Sequence, residues 1–195
     1  MDPELFSPPS ESSELTATVL SAGNLRAMEE HDILIRATAD LVNEFPSISL
    51  DIVGDGPERS RLERLAKKIG LAGQVRFVGC QSRKQIAWAM KRCTLFALPS
   101  LADQSGCLHV QAMSCGKALI GCRGRELPRL SSMAQMVFWL GPGNGPELVL
   151  AMSMLLRDAQ RRRNLGTAAR NTILDRLTVE QQAEALKRIY RESVA

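Results

Sequence analysis

Apolar and polar positions along this chain follow two alternating rhythms. Short, nearly unbroken apolar runs fall at Thr16–Ala22, Ile48–Val53, Val75–Gly79, Thr94–Leu98, Ala118–Cys122 and Met136–Leu140. Runs of this kind, bounded by Gly and Pro, predict strands buried on both faces. Between them the spacing becomes helical. In His31–Phe45 the apolar residues are Ile33, Leu34, Ala37, Leu41, Val42 and Phe45, one face of a helix, with Pro46 beyond its end. Further helices are predicted from Pro57 through Lys68, over Arg83–Cys93, over the short stretch Cys107–Cys115, and over Pro146–Asp158, Gln160–Leu177 and Val179–Ser193. Pro57 suits a first helical turn, Gly70 suits a C-cap, and Thr178 with Gln181 has capping-box spacing.

Strands separated by helices are repeated βαβ units, and right-handed crossovers turn them into a parallel sheet covered on both faces. The expected fold class is therefore α/β: a doubly wound, parallel, six-stranded sheet with extra C-terminal helices. Residues 1–14, rich in Pro and Ser and without periodicity, read as a linker-like segment ahead of a domain over residues 15–195.

Composition narrows the function classes. A chain of 195 residues with 45% hydrophobic and 24% charged residues fits one globular domain that needs no disulfide. No apolar run approaches the ~18–20 residues of a membrane span, and no basic flank leads into an apolar stretch at the N-terminus. A cytoplasmic setting is expected. The net charge of +4 suits a phosphorylated ligand, but aromatics are only 4% and the one basic cluster is Arg161–Arg163, so no nucleic-acid partner is expected. The cysteines, Cys80, Cys93, Cys107, Cys115 and Cys122, are odd in number and lack zinc spacing; they read as small core hydrophobes, and no metal is expected. Trp88 and Trp139 read as core, as do Met113, Met133, Met136, Met152 and Met154. His31 reads as flanking a helix start, and His109 as a packing residue rather than a sugar contact.

In sheets of this kind ligands sit beyond the carboxyl ends of the strands, where helix N-termini offer backbone N–H groups. Three loops qualify: Gly23-Asn24-Leu25-Arg26, Gly54-Asp55-Gly56, and Ser100–Gly106 leading into the helix at Cys107. Gly106 would let an anion approach the N–H groups of Gly106, Cys107 and Leu108. A dinucleotide fingerprint fails, because the first strand is followed by Gly23 alone and Gly54-x-Gly56 has Arg59 where a third glycine is needed. A Walker loop is absent.

The segments DIVGDGPERSRLERLAKKIGLAGQVRFVGCQSRKQI, LFALPSLADQSGCLHVQAMSCGKALIGCRG and LTVEQQAEALKRIY resemble the C-terminal domain of retaining glycosyltransferases of family 4, a GT-B fold of two Rossmann-like domains. Asp2-Pro3-Glu4-Leu5-Phe6-Ser7-Pro8 resembles the family's interdomain linker. The resemblance implies a UDP- or GDP-sugar as ligand, with the base near Phe77–Ser82, hence Gly79, Cys80 and Gln81. It places the diphosphate and sugar near Ser105, Gly106, Cys107 and Leu108. The family's Glu-x7-Glu pair falls on Asp103, which would reach the donor sugar, and Gln111, which would hold the ribose. The family's Gly-Arg-Leu and Lys-Gly fall on Gly23-Asn24-Leu25 and Glu29-Glu30. The diphosphate clamp thus loses both cations and gains a carboxylate. A charge-assisted hydrogen bond is worth roughly 1.5–3 kcal/mol. A carboxylate ~5 Å from a phosphate at an effective dielectric of ~20 repels by about 3 kcal/mol. Arg26 or Lys117 would have to supply the positive charge. The loop Arg125-Glu126-Leu127-Pro128-Arg129 replaces a Gly-Gly-x-Pro-Glu pattern.

The resemblance therefore implies a nucleotide-sugar-binding domain for hexosyl transfer with retention, without a metal. Its partner would be an acceptor-binding domain in a separate chain. The alternative is a degenerate, non-catalytic remnant or interaction module. Weak peripheral membrane contact through Arg157, Arg161–Arg163 and Arg170 is a third reading. The apolar stripe Ala183, Leu186, Ile189 and Tyr190 on the last helix predicts packing on this domain or self-association.

Overall fold

A computed structural model describes residues 1–9, 17–100, 106–122 and 137–194. The apolar runs form parallel strands β1 (Thr18–Ala22), β2 (Ser49–Val53), β3 (Val75–Gly79), β4 (Leu95–Leu98), β5 (Leu119–Cys122) and β6 (Val137–Leu140). They are hydrogen-bonded in the order β3-β2-β1-β4-β5-β6. Strands β1, β2, β4 and β5 carry the two-sided core. Strand β3, at the sheet edge, buries Val75 but leaves Arg76 and Val78 exposed, so it is not covered on both faces as expected. Strand β6 extends the sheet by backbone pairing with β5. The doubly wound parallel architecture expected from the sequence is present.

Period-two alternation divides the core. Val19, Leu95, Ala97 and Ile120 face helices α1 (His31–Leu41), α2 (Arg59–Lys68) and α5 (Gly145–Arg157). Leu20, Ala22, Phe96, Leu98 and Leu119 face α3 (Arg83–Arg92), α4 (Cys107–Ser114) and α6 (Ala159–Arg176). Helix α1 ends at Leu41 rather than Phe45: Val42 N–H bonds back to Ala39 O, and Phe45, preceding Pro46, is disfavoured in helical geometry. Helix α2 starts at Arg59, with Pro57 and Glu58 in the turn before it. The Thr178–Gln181 capping box forms, Thr178 N–H donating to Gln181 Oε1 (3.0 Å) and Gln181 N–H to Thr178 Oγ1 (3.3 Å).

The N-terminal segment docks on the domain. Phe6 is 0% exposed, inside the α3–α4–α6 layer. Its carbonyl accepts from Ser114 Oγ (2.7 Å) and Arg170 Nη1 (3.0 Å), and the Arg83 guanidinium lies 5.6 Å from its ring centroid. The Met1 amino group donates to Leu177 O at 2.9 Å. Composition reads residues 1–14 as linker because Pro and Ser dominate; one aromatic side chain is enough to anchor residues 1–9.

Two sequence expectations, on Trp88 and on two cysteines, are corrected. Trp88 is 63% exposed, because α3 turns Ala87 and Met90 inward and leaves the indole outside, under the Arg92 guanidinium at 4.9 Å. Cys80 and Cys107 are exposed, since both lie in or beside loops at the carboxyl edge of the sheet; Cys93, Cys115 and Cys122 are buried as expected. Helix α7 (Val179–Val194) is joined to the domain at its start, Val179 N–H donating to Met1 O (3.2 Å), while its apolar stripe stays uncovered by the described residues: Val179, Leu186, Ile189 and Tyr190 are all more than half exposed. Met113 and Met152 are core residues, whereas Met133, Met136 and the Trp139 side chain lie outside the described residues. Among the described residues no helix is long and apolar enough to cross a membrane.

Replacing Phe6 by Ala removes a buried ring that ties the segment to three helices. Chemical denaturation should show a loss of about 3–5 kcal/mol. A loss below about 1 kcal/mol would mean that the segment is only laid on the surface.

Candidate functional site

The strand order reverses between β1 and β4, which makes their carboxyl ends the topological switch point of the sheet. Three glycines gather the loops beside it. Gly23 N–H donates to Val53 O (3.0 Å) and Gly54 N–H to Gly79 O (2.9 Å). Leu25 N–H donates to Asp55 O (3.0 Å) and Glu58 N–H to Leu25 O (2.9 Å). A Cβ on Gly54 would collide with Gly23 O, and one on Gly56 would lie 2.6 Å from Leu25 O. These two glycines of the second loop thus serve backbone approach between loops. The loop after β3 is fixed by Arg59, which bonds Phe77 O (3.3 Å), Asp55 Oδ2 (3.1 Å) and Glu63 Oε1 (2.9 Å). Gly79 has φ 79°, Cys80 is exposed, and Gln81 Nε2 donates to Val78 O at 3.2 Å. Ser82 and Gln85 close the loop with a capping box, for which Ser-x-x-Gln is the signal in the sequence.

Beyond the carboxyl end of β4, Gly106 is the N-cap of α4 with φ 60°, a conformation that favours glycine. Backbone N–H groups of the first turn gather at this helix start. Cys107 is exposed and Leu108 half-buried. One turn on, Gln111 is half-buried, and its buried Oε1 has no hydrogen-bond partner. His109 is buried and meets the Phe96 ring edge-on at 6.2 Å, as a packing residue. Asp103, Ser105 and the loop Arg125–Arg129 lie outside the described residues.

The first loop carries the altered electrostatics. Asn24 and Arg26 are exposed. Glu29, at the end of the 3-10 turn Ala27–Glu29, is only 8% exposed. The position of a Cβ on Gly23 lies 3.5 Å from Glu29 Oε2 and 3.9 Å from Leu98 Cδ1, so the carboxylate sits over the ends of β1 and β4. Glu30 adopts φ 52°, at the position where the resemblance puts glycine, and accepts from Gly143 N–H at 3.2 Å. Lys117 cannot serve this crevice: its Nζ donates to Cys93 O (2.8 Å) at the opposite edge of the sheet, because the helix–strand turn that carries it precedes β5. Among the described residues no group of three or more His, Cys, Asp or Glu side chains could hold a metal.

The model of glycosyl transferases group 1 matches residues 4–172. This chain belongs to that family. Among group 1 relatives, N-acetyl-alpha-D-glucosaminyl L-malate synthase of Bacillus anthracis is 26% identical over 178 residues, 91% of this chain and 46% of that enzyme. The chain thus spans about half the length of the curated relatives it matches. Anabaena HepE, solved in complex with UDP and glucose, is 26% identical with a TM-score of 0.83, covering 96% of this chain and 55% of HepE. The C-terminal domain of the group 1 protein LpcC from Francisella tularensis shares the fold at 16% identity, with a TM-score of 0.82 over 92% of this chain and 99% of that domain. The group 1 chain is a Rossmann-like domain of GT-B type.

His31, at the start of α1 directly after Glu30, is 1% exposed with no hydrogen-bond partner at either ring nitrogen. Burial pushes its pKa down to about 4, against a smaller raising effect of Asp32. The unfolded chain binds a proton near pH 6.5 and the folded chain only near pH 4, so stability falls as pH drops through this window, by about 3 kcal/mol in all. His31→Val should flatten denaturation midpoints over that range. An unchanged pH slope would place the acid sensitivity elsewhere.

Proposed function

We propose that the chain binds a UDP- or GDP-sugar in the crevice at the β1–β4 switch point. It is then the donor half of a family 4 transferase that moves a hexosyl group with retention, working against an acceptor-binding domain. The observation that carries this reading is the start of α4, with Gly106 at φ 60° just beyond β4 at the switch point, in a group 1 chain. N–H groups of Gly106, Cys107 and Leu108 suit the diphosphate and stabilise it as it departs, which needs no metal. The orphaned Gln111 Oε1 suits a ribose hydroxyl. Gly79, Cys80 and Gln81 border the base, Gly23 and Asn24 floor the crevice, and Arg26 supplies the nearby cation. Asp103 and Ser105, which precede α4 in the chain, are assigned by resemblance to the donor sugar and its phosphate. The bare stripe on α7 is a surface for the acceptor-binding domain or a second copy.

The Glu29 carboxylate over Gly23 favours the second reading, a remnant that no longer binds donor. Thermal unfolding with UDP, GDP, ADP and their sugars separates the two. Ligand at ~100 times Kd adds about 2.7 kcal/mol, or roughly 5–10 °C for a chain of this size. A rise with UDP or GDP supports the donor domain; no rise with any of them at millimolar concentration supports the remnant. Glu29→Gln should tighten UDP at least ~10-fold by removing the like charge. An unchanged affinity would take Glu29 away from the phosphates. The chain alone should transfer no sugar to an acceptor, and turnover to a glycoside would contradict the half-enzyme reading.

A further inference from the structure

Helix α7 runs for 16 residues, about 24 Å. Gln181 Nε2 still reaches back to Leu174 O (2.9 Å), but from Gln182 to Ser193 every residue is exposed. A lone helix of this length is marginal in water, and packing of an apolar face supplies most helix stability. At about 100° per residue, Val179, Ala183, Leu186 and Tyr190 share one face, with Ile189 beside them. We infer that this face is a homodimer surface, on which α7 of a second copy lies antiparallel.

Charge selects that occupant. One flank of the stripe carries Glu180 near the helix start, then Lys187 and Arg191 towards its end; the other carries Gln182, Ala185 and Glu192. A twofold axis that sets two α7 helices antiparallel brings the first flank against itself in reverse. Glu180 of each copy then lies opposite Arg191 of the other, so one contact yields two ion pairs. The same register puts both Leu186 side chains at the axis and Ile189 of each copy over Ala183 of the other. A parallel pair would join unlike flanks instead. Glu180 would then lie beside Gln182, and Arg191 beside Glu192, which Arg188 already faces at 3.9 Å.

The bland alternative is that these charges only stabilise α7 on its own. Some of them do: Lys187 Nζ donates to Glu184 Oε1 (2.6 Å), and an acid at the start with bases towards the end suits the helix dipole. Beyond the dipole Arg191 has nothing, since among the described residues it makes no hydrogen bond or ion pair. Its own N–H and the Thr178 hydroxyl hold the Glu180 carboxyl below the usual carboxylate range, so it stays charged. A carboxylate with these two donors has lone pairs left for a guanidinium. The nearby Met1 amino group and Asp2 carboxylate act on it in opposite directions. Nor does the dipole account for an apolar face left open to water. The inference rests on α7 and not on the donor reading, which stands or falls separately.

The test is sedimentation equilibrium of the full chain from about 5 to 500 µM, with reductant to keep the exposed Cys80 and Cys107 from cross-linking. A concentration-dependent monomer–dimer equilibrium is expected. Leu186→Glu should weaken it at least ~30-fold; if that variant loses helix content by circular dichroism, Leu186→Gln serves, at ~10-fold or more. Glu180→Arg and Arg191→Glu should each weaken it at least ~5-fold, because two attractions become repulsions. The decisive arm mixes these two charge variants in equal amounts. In an antiparallel heterodimer both pairs are complementary again, so the mixture should associate within ~3-fold of the parent. A monomer at every concentration would overturn the inference and leave the stripe to an acceptor-binding domain or a lipid surface. So would a dimer that the variants leave unchanged, or a mixture no tighter than either charge variant alone.

Discussion

The crevice depends on backbone touching backbone. Gly54 meets Gly23 at a distance that no side chain permits, and Gly54 N–H bonds Gly79 O, so the loops after β1, β2 and β3 form one layer. That layer sets where Gly23 lies relative to α4, and thereby the width of the switch point. A single Cβ at Gly54 would force the first two loops apart and move the floor of the crevice.

Charge is distributed unevenly about this frame. The carboxyl edge, where a diphosphate should be welcome, holds the buried Glu29 and leaves its nearest sequence-predicted cation, Arg26, in solvent. Lys117, expected to help there, points into the amino edge, where a cluster of cations has gathered. The helix start at Gly106 is thus left as the main attraction for phosphate at the carboxyl edge. Its N–H groups act at short range through fixed geometry, which makes them less sensitive to salt than a mobile arginine.

Much of the fold was legible because two independent signals agreed. The apolar runs at Ile48–Val53 and Thr94–Leu98 gave strands, and the helical spacing between them gave crossovers, leaving a doubly wound parallel sheet as the consistent answer. The site was legible in outline, since topology alone sends ligands to the loops at Gly23, Gly79 and Gly106. What escaped the sequence was side-chain direction. Trp88 and Phe6 are both aromatic, yet α3 turns the first outward while the second fills a gap between three helices. Lys117 was assigned to the wrong edge because Gly116-Lys117 lies near the ligand loop in sequence, while a strand length separates them in space.

The central claim is that the N–H groups opening α4 receive the donor's diphosphate. Amide chemical shifts of Gly106, Cys107 and Leu108, followed during a UDP titration, address it directly. The account predicts saturable shifts at these three residues and at Gly23. Saturation elsewhere in the chain with those amides unmoved would contradict it.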